Sequence, residues 1–225
     1  MKTRSVQSTG LILGISAYLI WGAFPLIINL TKFASPLEVV VWRVVFGFLF
    51  AALLVTLSRT WREIWFLVRN PKRLRWLGLA AIFIFINWEV YVIAVATGNT
   101  IESSLGYFMN PLITILFAVL LLKEKLRRMQ WVALSVGLVA VVVLTIDYGR
   151  PPWIAFALAI SFAIYSLAKN RVGGKIRALQ SFTIESAIVM PIALGQLFFV
   201  AATGPIMLAT GTFEFSVLVG FGILT

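Results

Sequence analysis

Seven apolar runs, each close to the roughly 20 residues needed to cross a hydrocarbon layer, mark this 225-residue chain as an all-α polytopic membrane protein; they cover residues 9–30, 37–57, 76–97, 101–122, 130–146, 152–168 and 180–202. Composition agrees: 61% of residues are hydrophobic and 12% charged, against about 25% charged in a soluble domain. Charge placement is the third sign. Of the 19 basic residues, sixteen precede the first run or follow the second, fourth and sixth; Lys32 and Arg150 lie at the other ends, and Arg43 lies inside the second run. By the positive-inside rule the N-terminus is cytoplasmic, odd runs go outward and even runs return, so the protein is expected in the cytoplasmic (inner) membrane. The same alternation accounts for the net charge of +11, so membrane lipids are expected as partners and nucleic acid is not. Runs this long and evenly apolar are helices rather than barrel strands, because lipid leaves backbone groups no partner outside the segment.

Taken in order, the first span follows "MKTRSVQSTG" and looks at first like a secretion signal. Its length and the lack of a small-x-small cleavage site make it a retained helix. Gly14, Tyr18, Gly22, Pro25 and Asn29 share one face of it at helical periodicity, with Trp21 deep in the span. Span two carries Glu38 near its outer start and Arg43 about 10 Å below the outer surface, at 1.5 Å per residue. The inner connection "SRTWREIWFLVRNPKRLRW" sets Trp61, Ile64, Trp65 and Val68 at helical spacing against arginines, which predicts a helix lying along the inner interface.

Span three aligns Asn87, Tyr91, Ala94 and Gly98 on one face with Trp88 at its edge, while Glu89 points away from that stripe, toward packing or a helix contact. Span four begins at a cap, Asn99 or Thr100, with Glu102 in the first turn where a negative charge suits the helix dipole. Glu102, Ser103, Gly106 and Asn110 then fall within about 100° of one another around the axis. Pro111 frees the Tyr107 carbonyl, one turn in from the mouth, and predicts a kink that serves either as a gate hinge or as a fit to neighbouring helices. Span seven holds Glu185 a turn inside its start and Pro191 further on. An eighth run opens at Phe215 and stops at Thr225, which reads as an incomplete span.

Polar groups inside spans face protein or a water-filled cavity. Two readings stand for the stripes: cavity lining, and helix packing, in which glycine permits close approach and asparagine bonds across the interface. Packing suits Gly14 and Gly22. Asn87, Tyr91, Glu102 and Asn110 suit a cavity, because packing does not require a carboxylate and an amide on one face of one helix. Arg43 lies at a depth where it could meet Glu102 or Glu38, as a pair that opens with access or as a fixed structural one. With neither cysteine nor histidine in the chain, disulfides, thiol and imidazole catalysis and most zinc or haem sites are excluded; no metal and no cofactor is expected.

"AYLIWG" at 17–22 and "SFAIYS" at 161–166 align at an offset of 144 residues. Five spans lie within one period, and an odd number inverts the second copy in the membrane, a recurring plan for secondary transporters. The expected units are residues 1–147 as a first five-helix repeat and 148–225 as an incomplete second one.

On "AYLIWGAFPL", "LEVVVWRVVF", "NWEVYVIAV", "IESSLGYFMNPLITILFAVLLLKEKLRRMQW", "SFAIYSL" and "IESAIVMP", the sequence resembles the RarD group of EamA-like permeases in the drug/metabolite transporter superfamily. The resemblance implies a bundle of ten helices in two inverted EamA-like repeats, with seven full spans and part of an eighth present here, and transport of small organic molecules. It supports Trp21, Gly22, Arg43, Asn87, Trp88, Glu102, Ser104, Leu105, Gly106, Tyr107, Asn110, Pro111 and Glu185 as matching positions; Glu89 departs, an apolar residue being expected there.

The reading is a secondary transporter of small metabolites or drugs working by alternating access, directed outward. Its cavity would be lined by Tyr18, Trp21, Gly22, Asn87, Trp88, Tyr91, Ser103, Gly106, Tyr107 and Asn110, with Arg43, Glu102, Pro111 and Glu185 setting charge and gating. A second copy of the chain is the partner expected to complete the inverted pair. The alternatives are a non-transporting assembly or regulatory subunit and, less well supported, a membrane-embedded enzyme.

Overall fold

The computed structural model describes residues 2–123, 126–172 and 176–224, so Lys125, Lys175 and Thr225 lie outside the described residues. Among the described residues the chain is helix and connecting turn, without strand: α1 (Lys2–Leu30), α2 (Pro36–Leu57), α3 (Trp61–Val68), α4 (Pro71–Ala96), α5 (Thr100–Leu122), α6 (Arg128–Tyr148), α7 (Trp153–Val172), α8 (Ala178–Thr203), a 3-10 turn at Met207–Ala209 and α9 (Thr212–Leu224). Seven of these, all but α3 and α9, are long and apolar enough to cross a membrane. The chain is an all-α polytopic membrane protein, with helix ends within a few residues of the apolar runs at most boundaries.

Local chemistry accounts for the ends. Ser35 accepts the Glu38 amide at 3.2 Å and Pro36 follows at the first helical position, where a missing N–H costs nothing. Asn70 does the same for Arg73 at 3.2 Å, again before a proline, so α4 starts five residues ahead of its apolar run. The α4–α5 and α6–α7 turns pass through Gly98 (φ 84°) and Gly149 (φ 64°), in the left-handed region where a Cβ is strained.

At the centre, α4 and α5 both lie along α7, and α2 lies along α8 and meets α9. The apolar core joins Val39, Val40, Val41 and Val44 of α2 to Phe85 and Val92 of α4, Leu158 of α7, Val189 of α8 and Phe221 of α9. Small residues set the closest approaches, as lipid-embedded helices require. A Cβ on Gly106 would come within 2.8 Å of the Leu158 Cβ and 2.9 Å of the Ala155 carbonyl, and one on Gly222 within 2.6 Å of the Phe46 Cβ. By contrast, the α1 side chains that the structure describes in this core are Phe24 and Ile28, with Ile27 packed against it, all in the second half of the helix.

The short α3 occupies the connection expected to lie along the interface. The residues it buries are Ile64 and Leu67, which join Val55, Leu77, Val172 and Ile184, whereas Trp61, Trp65 and Val68 are exposed. The bundle thus takes Ile64 and Leu67, and Trp61, Trp65 and Val68 stay on the helix's outer surface. α5 runs unbroken through Pro111.

Candidate functional site

The arginine inside α2 is the unusual group. Arg43 is 6% exposed, and its guanidinium lies 4.3 Å from the ring centre of Trp88, 5.4 Å from Phe221 and 5.7 Å from Phe24. All three lie within cation–π reach, and such contacts reach about 2 kcal/mol when desolvated. Among the described residues its buried Nε has no hydrogen-bond partner and no carboxylate pairs with it.

Both carboxylates expected as its partners are held elsewhere. Glu102 of α5 accepts from Arg150 at 3.0 Å and from the Ile154 amide at 3.0 Å, so it caps the first turn of α7. Arg150 is half exposed, so the charge pair is screened and the cap carries more of the contact. Glu38 accepts from the Trp42 indole at 3.1 Å and from the Met207 and Leu208 amides at 2.7 and 3.2 Å. The Arg43–Glu102 and Arg43–Glu38 pairs are thus corrected: backbone donors at the helix mouths take both carboxylates, while the arginine turns inward onto aromatic faces.

Beside this cluster, Asn87 of α4 joins three helices. The Tyr107 hydroxyl of α5 donates to its Oδ1 at 3.0 Å, and its Nδ2 donates to the Leu158 carbonyl and the Ser161 hydroxyl of α7, both at 3.0 Å. Tyr91 meets the Tyr107 ring edge-on at 5.5 Å. From Tyr107 a line of rings continues along α7, with Phe162 at 6.2 Å and Tyr165 a further 5.5 Å on. Lys169 lies 5.6 Å from the Tyr165 ring and donates to Glu185 at 2.5 Å and to Ser181; Ser181 also donates to Glu185, at 2.6 Å. Phe162, Tyr165 and Lys169 were not among the expected site residues. Their signal was present in "SFAIYSLAK", where they stand three and seven residues apart on one helix face.

The remaining expected residues are distributed as follows. Trp88 and Tyr91 adjoin Arg43 and Tyr107, as above. Ser103 is buried and donates to the Thr100 carbonyl at 2.8 Å, and Gly106 faces α7. Asn110 is half-buried and accepts from Thr114 within α5 at 3.1 Å. Glu185 is buried under Lys169, well away from the Glu102 mouth in the helix order. Tyr18 and Trp21 are 75% and 54% exposed and touch each other edge-on at 5.8 Å, and a Cβ on Gly22 would meet nothing within 4 Å. These three are not brought to the Arg43 cluster; Phe24, one turn on, is the α1 residue that reaches it. Glu89 accepts from Gln196 of α8 at 2.7 Å, the helix contact expected of it.

Residues 8–146 match the EamA-like transporter family. Protein RarD of Streptomyces exfoliatus is 42% identical over 204 residues, covering 91% of this chain and 64% of that protein. The uncharacterized transporter YojE of Bacillus subtilis is 38% identical over 193 residues, 84% of this chain and 64% of its own length. An uncharacterized transporter of Vibrio cholerae is 31% identical over 217 residues, 96% and 71% of the two chains. The chain therefore spans just under two thirds of the length of the first two of these relatives.

Proposed function

The chain belongs to the EamA-like transporter family, and from that premise we propose that it is the larger part of a secondary transporter that moves small organic metabolites or drug-like compounds out across the cytoplasmic membrane by alternating access. In this reading the N-terminus is cytoplasmic, and residues 1–147 and 148–225 belong to two inverted repeats.

The observation that carries the reading is Arg43. A guanidinium in the middle of a membrane bundle is costly to bury and is a functional group by default. Here its charge is spread over the rings of Trp88, Phe24 and Phe221 rather than neutralised by a carboxylate. A flat apolar compound with a carboxylate or carbonyl would stack on the same aromatic surface and accept from the unpartnered Nε. The rings of Tyr107, Phe162 and Tyr165 would then pass its body along α7 toward Lys169 and Glu185, whose ion pair closes the opposite end.

Purified protein reconstituted into vesicles and offered a panel of labelled aromatic acids and neutral analogues tests this. Saturable flux of at least one compound is expected, with Arg43→Gln lowering it about tenfold or more at equal reconstitution and Arg43→Lys failing to restore it, since lysine lacks the planar fork. Wild-type flux in Arg43→Gln removes Arg43 from the site. Absence of flux for every compound, in a chain completed to the length of its relatives, favours the assembly-subunit reading.

A further inference from the structure

A second feature of the bundle is a cavity away from Arg43. It lies at the basic end of the bundle, about 1010 Å³ in volume, between the α2–α3 junction, the start of α4 and the start of α8. Four guanidiniums line it: Arg59, Arg62, Arg73 and Arg177. One acidic group, Glu63, shares the wall and is engaged by Arg177 at 3.6 Å. Four cations against one carboxylate leave a net positive hollow.

Two buried polar oxygens in this wall have no partner among the described residues. Gln180, 1% exposed, leaves its Oε1 without a donor, and Thr60, 9% exposed, leaves its hydroxyl unbonded. Thr60 stands at the N-cap of α3 and Arg177 at the N-cap of α8, and neither side chain closes its helix. Two helix N-termini, with their outward amides, therefore border the same space. An anion alone would satisfy the arginines, the amides and the Thr60 hydroxyl, but not the Gln180 oxygen, which needs a hydrogen-bond donor. Apolar Phe66, Leu67, Val172 and Ile176 complete the lining.

We propose that this cavity binds a phosphate ester that carries a free hydroxyl: the phosphate lies among the arginines and Thr60, and the hydroxyl donates to Gln180. A phosphatidylglycerol headgroup and soluble glycerol 3-phosphate share that chemistry. None of its lining residues is among those placed in the proposed transport path, so binding here is tested without reference to what the protein carries.

Delipidated protein in detergent is titrated with short-chain phosphatidylglycerol, short-chain phosphatidylcholine and glycerol 3-phosphate, with bound ligand read by native mass spectrometry and the unfolding midpoint read in parallel. Phosphatidylglycerol binding that raises the midpoint, with glycerol 3-phosphate inactive, identifies a lipid headgroup site; binding of glycerol 3-phosphate identifies a soluble ester. Both support the proposal. The Arg62→Gln/Arg177→Gln double variant weakens binding about tenfold, Gln180→Leu weakens it several-fold, Arg62→Lys with Arg177 intact largely retains it, and Arg75→Gln, outside the cavity, leaves it unchanged. Unliganded midpoints of the variants separate lost binding from lost folding. The proposal is overturned if phosphatidylcholine binds as well as phosphatidylglycerol, if Arg75→Gln weakens binding as much as the cavity variants, or if Gln180→Leu binds like the parent.

Discussion

The N-terminal half of α5 and the middle of α1 carry the same kind of stripe, small and polar residues at helical spacing, yet they meet different fates. On α5, Glu102, Ser103 and Gly106 are buried, and Glu102 and Gly106 face α7; Glu102 caps that helix, and the Gly106 backbone lies almost against Ala155 and Leu158. On α1, Gly14 and Gly22 have no atom near the place of a Cβ, and Tyr18 is mostly exposed. Periodicity therefore identifies that a helix face is distinctive, and the identity of its neighbour comes from elsewhere. In water the apolar face would at least be known to point inward. In lipid, tails are as apolar as leucine, so the hydrophobic effect does not choose between the two faces and close packing decides.

Three substitutions sharpen this contrast, each read as a shift in unfolding free energy in detergent. Gly106→Ala is expected to cost most, about 3 kcal/mol, because the new methyl meets backbone as well as side-chain atoms and the α5–α7 pair must separate. An unchanged stability would mean that the two helices do not approach this closely. Asn87→Ala follows at about 2 kcal/mol, since it strips the Tyr107 hydroxyl of its acceptor and removes the two hydrogen bonds that the Asn87 amide donates to α7; a loss equal to that of Tyr107→Phe alone would show that the α7 side of the junction contributes nothing. Gly22→Ala is expected to be neutral or to stabilise by at most about 1 kcal/mol, the helix-propensity difference, with no clash to oppose it. A large loss there would reveal a helix packed against α1 and would erase the distinction between the stripes.

Much of the architecture was legible from residues alone. The seven spans, the helix in the basic connection, the Glu89 contact and the position of Glu102 in a first helical turn each rest on local rules that lipid does not alter: length, charge asymmetry, caps and dipoles. What failed was pairing across the bundle. Arg43, Glu38 and Glu102 lie at compatible depths, and depth alone suggested that they meet. The structure instead gives Glu102 the Ile154 amide and Glu38 the amides of Met207 and Leu208. Unbonded helix-end and turn amides are strong donors at the same depth, and a list of charged side chains omits them. Phe162 and Tyr165 were missed for a related reason, because an aromatic pair on an apolar helix is ordinary until a third ring, here Tyr107, lines up with it.

Glu38 also sets a schedule. Its backbone partners lie 169 and 170 residues downstream. At a synthesis rate of about 5–20 residues per second, roughly 10–30 s pass between the emergence of the carboxylate and that of the amides it will hold. During that interval α2 must stand in the bilayer with the Glu38 carboxylate answered only by the Trp42 indole and water. Closing the bundle at that end is therefore a late event in biogenesis, and a nascent chain halted before Met207 would hold α2 in place while leaving its N-terminal end unlatched.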